Sequence, residues 1–198
     1  IALRYKDGTS SGSASFEIDN LSMTISEPSG SGGGGGTGGG GGTGGGGGAS
    51  ISLPISYDFE DCSENFATPS AFSEAFAPGA KTDRGWGCRD EGVDDSRGVR
   101  ASAFGGAEGF DDAWLITGSK LDLTSLSTTY LQVDVKSSFD GPGDLKLLYS
   151  SDYSGGSNPT ASIWTEVTSF ASDLPTKGAD EFVNIIADLS AAVGSEVY

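Results

Sequence analysis

Asp58 and Glu60 stand two places apart in the alternating run Ile51-Ser52-Leu53-Pro54-Ile55-Ser56-Tyr57-Asp58-Phe59-Glu60, a spacing that puts both carboxylates on the polar face of one strand. Asp19, at a break in the apolar alternation of another strand, would lie nearby if that strand pairs beside theirs. Calcium takes six to eight oxygen ligands, carboxylates and carbonyls among them, so Asp19, Asp58 and Glu60 are candidate ligands of a structural Ca2+, with Asp111 and Asp112 as weaker additions. The alternative is a solvated acidic face. A formal charge of −17, with the acidic residues dispersed, argues against nucleic acid and membrane insertion and favours divalent cations or cationic partners.

Catalysis finds little to work with. The chain has no histidine, so Ser-His-Asp and Cys-His arrangements are excluded. A carboxylate pair such as Glu108 with Asp111 has the composition of a glycosidase pair, but acidic pairs recur throughout so acidic a chain. The glycine run lacks the Lys-Ser/Thr of a phosphate loop. No enzyme is expected. Cys62 and Cys88 enclose about 25 residues and are expected to form a disulfide in a secreted protein, the alternative being two unrelated thiols in a reducing compartment. Among the aromatic residues, Trp86 between Gly85 and Gly87 is the best candidate for an exposed platform that binds glycans or a cell surface. Tyr153 is a further candidate, while Trp114 and Trp164 lie in strand-like runs and are expected in the core.

The elements that must position these groups begin with the two ends of the chain, which read as one strand cut in half. With the ends laid together, Val197, Ile1, Leu3 and Tyr5 share one face and Tyr198, Ala2, Arg4 and Lys6 the other. Ile1 is not an initiator Met, so it is either a processing product or a cut in a longer polypeptide. After a turn-rich spacer suited to a hairpin, Asp7-Gly8-Thr9-Ser10-Ser11-Gly12, a second strand carries Phe16 and Ile18 on even places. It then carries Leu21, Met23 and Ile25 on odd ones, which predicts a β-bulge near Asp19-Asn20. No run reaches the roughly 20 apolar residues of a membrane-spanning helix.

Three segments follow: donor strands over 1–28, a glycine-rich linker over 29–50, and a body over 51–198. The linker is read as a solvated coil, about 27 Å end to end and extensible to about 85 Å, although its regular Gly-Thr blocks also suit packed polyglycine. Thr37 and Thr43 are potential glycan sites. In the body, Pro54 suggests an edge strand. Strands are expected over 113–117, 129–136, 144–150, 162–168 and 181–189, with 61–112 rich in loops and one short helix-like patch around 69–76. Lengths and turns predict an all-β antiparallel sandwich, with a jelly roll the best specific guess.

Leu53-Pro54 leading into Tyr57-Asp58-Phe59-Glu60, the run Asp112-Ala113-Trp114-Leu115-Ile116-Thr117, Leu121-Asp122-Leu123, Tyr149-Ser150-Ser151-Asp152-Tyr153-Ser154-Gly155-Gly156 and Trp164-Thr165-Glu166-Val167 occur in order. Together they resemble the choice-of-anchor J domains, relatives of cleaved-adhesin and MAM-type jelly rolls. The resemblance covers about 170 residues. It implies an extracellular, cell-surface β-sandwich whose closing strands look like Ile1–Lys6 and Phe16–Leu21, here displaced to the front. It implies little about chemistry.

A body without its closing strands exposes a groove. Ile1, Leu3, Tyr5, Phe16, Ile18, Leu21, Met23 and Ile25 would bury roughly 12–24 kcal/mol gross of apolar surface in it, at about 1.5–3 each. If a neighbouring copy supplies them, head-to-tail contacts build a homopolymer, in the manner of donor-strand-exchange pilins. A circularly permuted monomer and a covalent tandem array satisfy the same pattern. Adhesion to glycans is the alternative function.

Overall fold

The structure, a computed structural model, describes residues 1–8, 14–25, 51–62, 64–104 and 110–198. The expected hairpin turn, the linker with Thr37 and Thr43, and Glu108 lie outside the described residues. The described chain is nearly all β. Its strands are β1 (Ala2–Asp7), β2 (Ser15–Thr24), β3 (Ile55–Tyr57), β4 (Phe72–Phe76), β5 (Trp86–Arg89), β6 (Gly98–Ser102), β7 (Asp111–Thr117), β8 (Leu121–Asp122), β9 (Tyr130–Ser137), β10 (Asp144–Tyr149), β11 (Thr165–Glu166), β12 (Val183–Asp188) and β13 (Glu196–Val197). One short helix, α1 (Thr168–Ser172), lies between β11 and β12.

Two antiparallel sheets pack as a sandwich, ordered β11-β10-β1-β7-β4 and β12-β9-β2-β6-β5. β3 also pairs with β2, and β13 pairs with β8. β1 and β2 therefore do not form the hairpin that their spacer suggests. Each enters a different sheet, and their side chains meet across the core, with the Tyr5 and Phe16 rings edge to face at 6.2 Å. The turn residues permit either path; what decides is that β1 finds open strands on both flanks in one sheet and β2 in the other.

Parity sorts these strands as their alternation dictates. Ile1, Leu3, Tyr5, Phe16, Ile18, Leu21, Met23 and Val197 all lie in the main core. The bulge falls where the alternation breaks: the β2–β9 register shifts between Asp19 and Ser22, with Asn20 at φ 48°. Asparagine tolerates that left-handed conformation better than most residues. Ile25 departs from expectation, its side chain 54% exposed just past the end of β2 at Thr24, where its carbonyl accepts from Thr128 Oγ1.

The first sheet is covered on its outer side as well. Ala2, Trp114, Ile116 and Leu148 form a second apolar cluster under Tyr153, with Trp164 and Tyr198 packed against it. The Trp114 and Trp164 rings stand 5.1 Å apart. Double coverage explains why every residue of β7 is buried, charged ones included.

Strands expected over 113–117, 129–136, 144–150 and 181–189 are present with ends shifted by a few residues. Two expectations are corrected. The helix-like patch around 69–76 is strand β4, since pairing along the open edge of β7 outweighs the weak helical preference of its Ala and Glu. The run 162–168 holds only the two-residue β11 before α1 begins.

Candidate strand-insertion site

Ladder hydrogen bonds hold β1 and β2 on both sides. Ala2–Lys6 pair with Leu148–Asp144 of β10, and Ala2–Asp7 pair with Ile116–Asp111 of β7. β2 pairs with β9 along most of its length, and on its other side with β6 over Ser15–Ile18 and β3 over Leu21–Met23. A strand flanked on both sides leaves two unpaired edges and an open core when it is withdrawn.

Polar contacts fix each strand at defined places. Arg4 forms a two-pronged ion pair with Asp112, its Nε 2.7 Å from Oδ1, and its guanidinium lies 4.7 Å above the Trp114 ring centre. Trp114 Nε1 donates to the same carboxylate at 2.9 Å. Glu17 pairs with Lys136 at 2.8 Å and accepts from Ser138 Oγ. The fully buried Tyr5 hydroxyl lies 3.0 Å from both Asp7 Oδ2 and the Ala14 carbonyl, and accepts from the Ala103 N–H at 3.2 Å. Burial, reinforced by the negative charge of Asp7, pushes the Tyr5 phenol well above its ordinary range.

The five candidate metal ligands have separate placements. Asp19, buried at the bulge, accepts from the Val93 N–H at 2.9 Å, from Ser96 Oγ at 2.7 Å and from its neighbour Asn20 N–H at 2.7 Å. A Cβ at Gly92 would fall 2.7 Å from Asp19 Oδ2, so that loop closes tightly on the carboxylate. Desolvation raises the Asp19 pKa, and these hydrogen bonds offset part of the rise. Asp58 and Glu60 lie beyond the end of β3 and are exposed. Asp58 accepts from the Glu60 N–H, and Glu60 accepts from the Arg97 N–H. Asp112 is taken by Arg4. Asp111 is buried opposite Asp7 in register, and Lys81 Nζ stands 2.8 Å from its Oδ2. Burial raises the pKa of Asp7, and Asp111 adds to the rise. Among the described residues, no three acidic or cysteine side chains come together as a metal-holding group.

Cys62 and Cys88 are joined in a disulfide that ties the segment after β3 to β5. Trp86 is not an exposed platform. It is 2% exposed, its Nε1 donates to the Ala113 carbonyl at 3.3 Å, and its N–H is held by Glu74. The flanking glycines that suggested an open loop instead make room for close packing: a Cβ at Gly87 would meet the Phe66 backbone at 2.8 Å.

The two ends of the chain share one strand line. Ala2 faces Leu148, so Tyr149 and Ser150 face Ile1 and the place before it. Tyr198 fills that place, its N–H donating to the Ser150 carbonyl at 2.9 Å and its carbonyl accepting from the Ser150 N–H at 2.8 Å. The Ile1 carbonyl accepts from the Thr117 N–H at 2.9 Å, and the Ile1 amine donates to Thr117 Oγ1 at 3.0 Å. Thr117 and Ser150 carry no sequence signal for this role, because register is what assigns it. Comparison with known family models, characterised proteins and solved structures gives no match.

Proposed function

We propose that the chain is a structural subunit of an extracellular fibre that assembles head to tail by β-strand complementation. The observation that carries the reading is that the N-terminal segment supplies a strand flanked on both sides in each sheet and joins the body only through residues 26–50. Seven of its apolar side chains, Ile1, Leu3, Tyr5, Phe16, Ile18, Leu21 and Met23, are buried. At about 1.5–3 kcal/mol each they contribute roughly 10–20 kcal/mol gross, offset in part by the entropy of ordering the segment.

Here the strands occupy the groove of their own chain. Every contact that seats them can also be made by a neighbour's identical segment, and a linker of about 25 residues, extensible to about 85 Å, permits either path. The contact is heterologous, so repeating it gives a filament unless the ring closes. A closed monomer serving as a secreted binding module is the competing reading, favoured by the seating seen here.

Refolding the full chain over a range of concentrations, followed by light scattering and negative-stain imaging, tests the proposal. The control is a rearranged chain, residues 51–198 followed by 1–25, with Tyr198 joined to Ile1. The parent is expected to form ladders or fibres, whereas the control, whose closing strands follow by chain continuity, stays monomeric with the same β content. A strictly monomeric parent at every concentration overturns the fibre reading.

A further inference from the structure

The segment between β4 and β5 is laid along the start of β7 by two main-chain hydrogen bonds that straddle Asp111: the Ala77 N–H donates to the Asp112 carbonyl at 3.0 Å and the Lys81 N–H to the Phe110 carbonyl at 3.1 Å. Gly79, at φ 81°, makes the turn between them. Lys81 is thereby delivered to Asp111, with Nζ 2.8 Å from Oδ2 and the two side chains 12% and 2% exposed. Apart from that ion pair, neither Asp111 oxygen accepts a hydrogen bond from any described residue. Asp7 of β1 faces Asp111 in register, and side chains opposed in this way have Cβ atoms about 4.5–5.5 Å apart. One Asp7 oxygen accepts from the Tyr5 hydroxyl, while the other, also buried, has no described partner. An amine, the carboxyl it touches and a second carboxyl are thus buried together. The Lys136–Glu17 pair, equally close at 2.8 Å, differs: Ser138 Oγ donates to Glu17, and the further carboxylate there, Asp180, is 69% exposed.

We propose that Lys81 and Asp111 are the reacting pair of an internal amide bond, Nζ to Cγ, formed within the folded chain with Asp7 as the proton carrier. The step needs no co-reactant. Lys81 passes one ammonium proton to Asp111, which leaves a neutral amine against a carboxyl. Nζ then bonds to Cγ, Asp7 relays the second amine proton to the departing oxygen, the Cγ–O bond breaks and water leaves. One positive and one negative charge vanish, and Asp7 ends as it began. Burial favours the uncharged form of Asp7, and the negative charge of Asp111 adds to the effect, so Asp7 has a proton to give. In free solution water opposes the condensation of an amine with an acid, but groups held in reacting order reach effective molarities of about 10⁵–10⁸ M. Replacing a buried ion pair by a neutral amide also removes the desolvation cost of two charges. Because Asp7 belongs to β1, the bond forms only once β1 is seated against β7. A β1 from the same chain or from a neighbour serves equally, so the inference stands apart from the fibre reading. The bond ties the β4–β5 segment to β7 and locks the wall on which β1 lies.

Intact mass and peptide mapping of the refolded full chain, with the disulfide reduced and alkylated, test the bond. The parent is expected to be one water lighter than its sequence. Its tryptic digest is expected to hold a branched peptide joining Lys81 to Asp111, with Lys136 and Glu17 unlinked. Lys81→Arg and Asp111→Ala are expected at full mass. Asp7→Asn, followed over time after refolding, is expected to form the bond at least about 10²-fold more slowly, and Asp7→Glu to recover part of the rate. A parent that keeps its full mass at every time after refolding overturns the bond, as does a lost water that maps elsewhere, such as to a succinimide at Asp140-Gly141. An Asp7→Asn chain that links as fast as the parent, with the same β content, overturns the role of Asp7. If the variants fail to fold, the parent's mass and branched peptide decide alone. A monomeric chain that carries the branch sinks the fibre and keeps the bond, whereas fibres of unlinked chains do the reverse.

Discussion

Replacing Tyr5 with phenylalanine removes one oxygen from the middle of the sandwich and leaves the ring contact with Phe16 in place. That oxygen serves three groups: the Asp7 carboxylate and the Ala14 carbonyl, both at 3.0 Å, and the Ala103 N–H at 3.2 Å. Ala14 and Asp7 are buried, so water does not readily replace the lost partner, whereas Ala103 is only half-buried. A buried polar group left unpaired costs about 1–3 kcal/mol, so two such groups with partial relief at Ala103 give a loss of about 2–4 kcal/mol. For a domain of this size that lowers the melting temperature by about 4–16 °C. Urea unfolding of Tyr5→Phe beside the parent measures it. The cost is expected to shrink as the pH falls, because the pKa of Asp7 is already raised by burial and a protonated Asp7 needs no donor. A Tyr5→Phe chain within about 0.5 kcal/mol of the parent at neutral pH would refute the assignment of Tyr5 as the polar hub that joins both donor strands to the body.

Three further outcomes follow from the same geometry. The raised pKa of Asp7 means that the folded state binds its proton more tightly than the unfolded state, so the burial penalty is fully present above the folded pKa. It is relieved as pH falls through that value towards 3.8, and Asp7→Asn is expected to flatten this part of the stability–pH profile in thermal melts. Reducing the Cys62–Cys88 disulfide, which closes a loop of 26 residues, is expected to cost about 3 kcal/mol, read as a lower urea midpoint with reductant present. Trp86→Ala is expected to lose about 3–5 kcal/mol by opening a core cavity. Calorimetry of the variant checks that value, and an unchanged melting temperature would contradict the buried placement.

The local alternation of apolar residues carries most of the fold. Phe16 and Ile18 against Leu21 and Met23 place a bulge at Asp19-Asn20 without reference to any other part of the chain, because side chains alternate faces and one inserted residue reverses them. The shared parity of Val197, Ile1, Leu3 and Tyr5 likewise brings the two ends onto one line, and the spacing of Cys62 and Cys88 allows their bridge. Partnership is not local. Whether Asp7-Gly8 begins a hairpin or a crossing between sheets depends on which strands stand open on either side, and the two that flank β1 lie more than 90 residues away. The same holds for the carboxylates: Asp58 and Glu60 share a spacing that suits one strand face, yet the loop around Val93 claims Asp19 and Arg4 claims Asp112. The burial of Trp86, the sheltering of Ala2 beneath Tyr153 and the hydrogen bond from the Thr117 N–H to the Ile1 carbonyl were decided only by the tertiary structure, since each depends on surfaces that meet after the two sheets have closed.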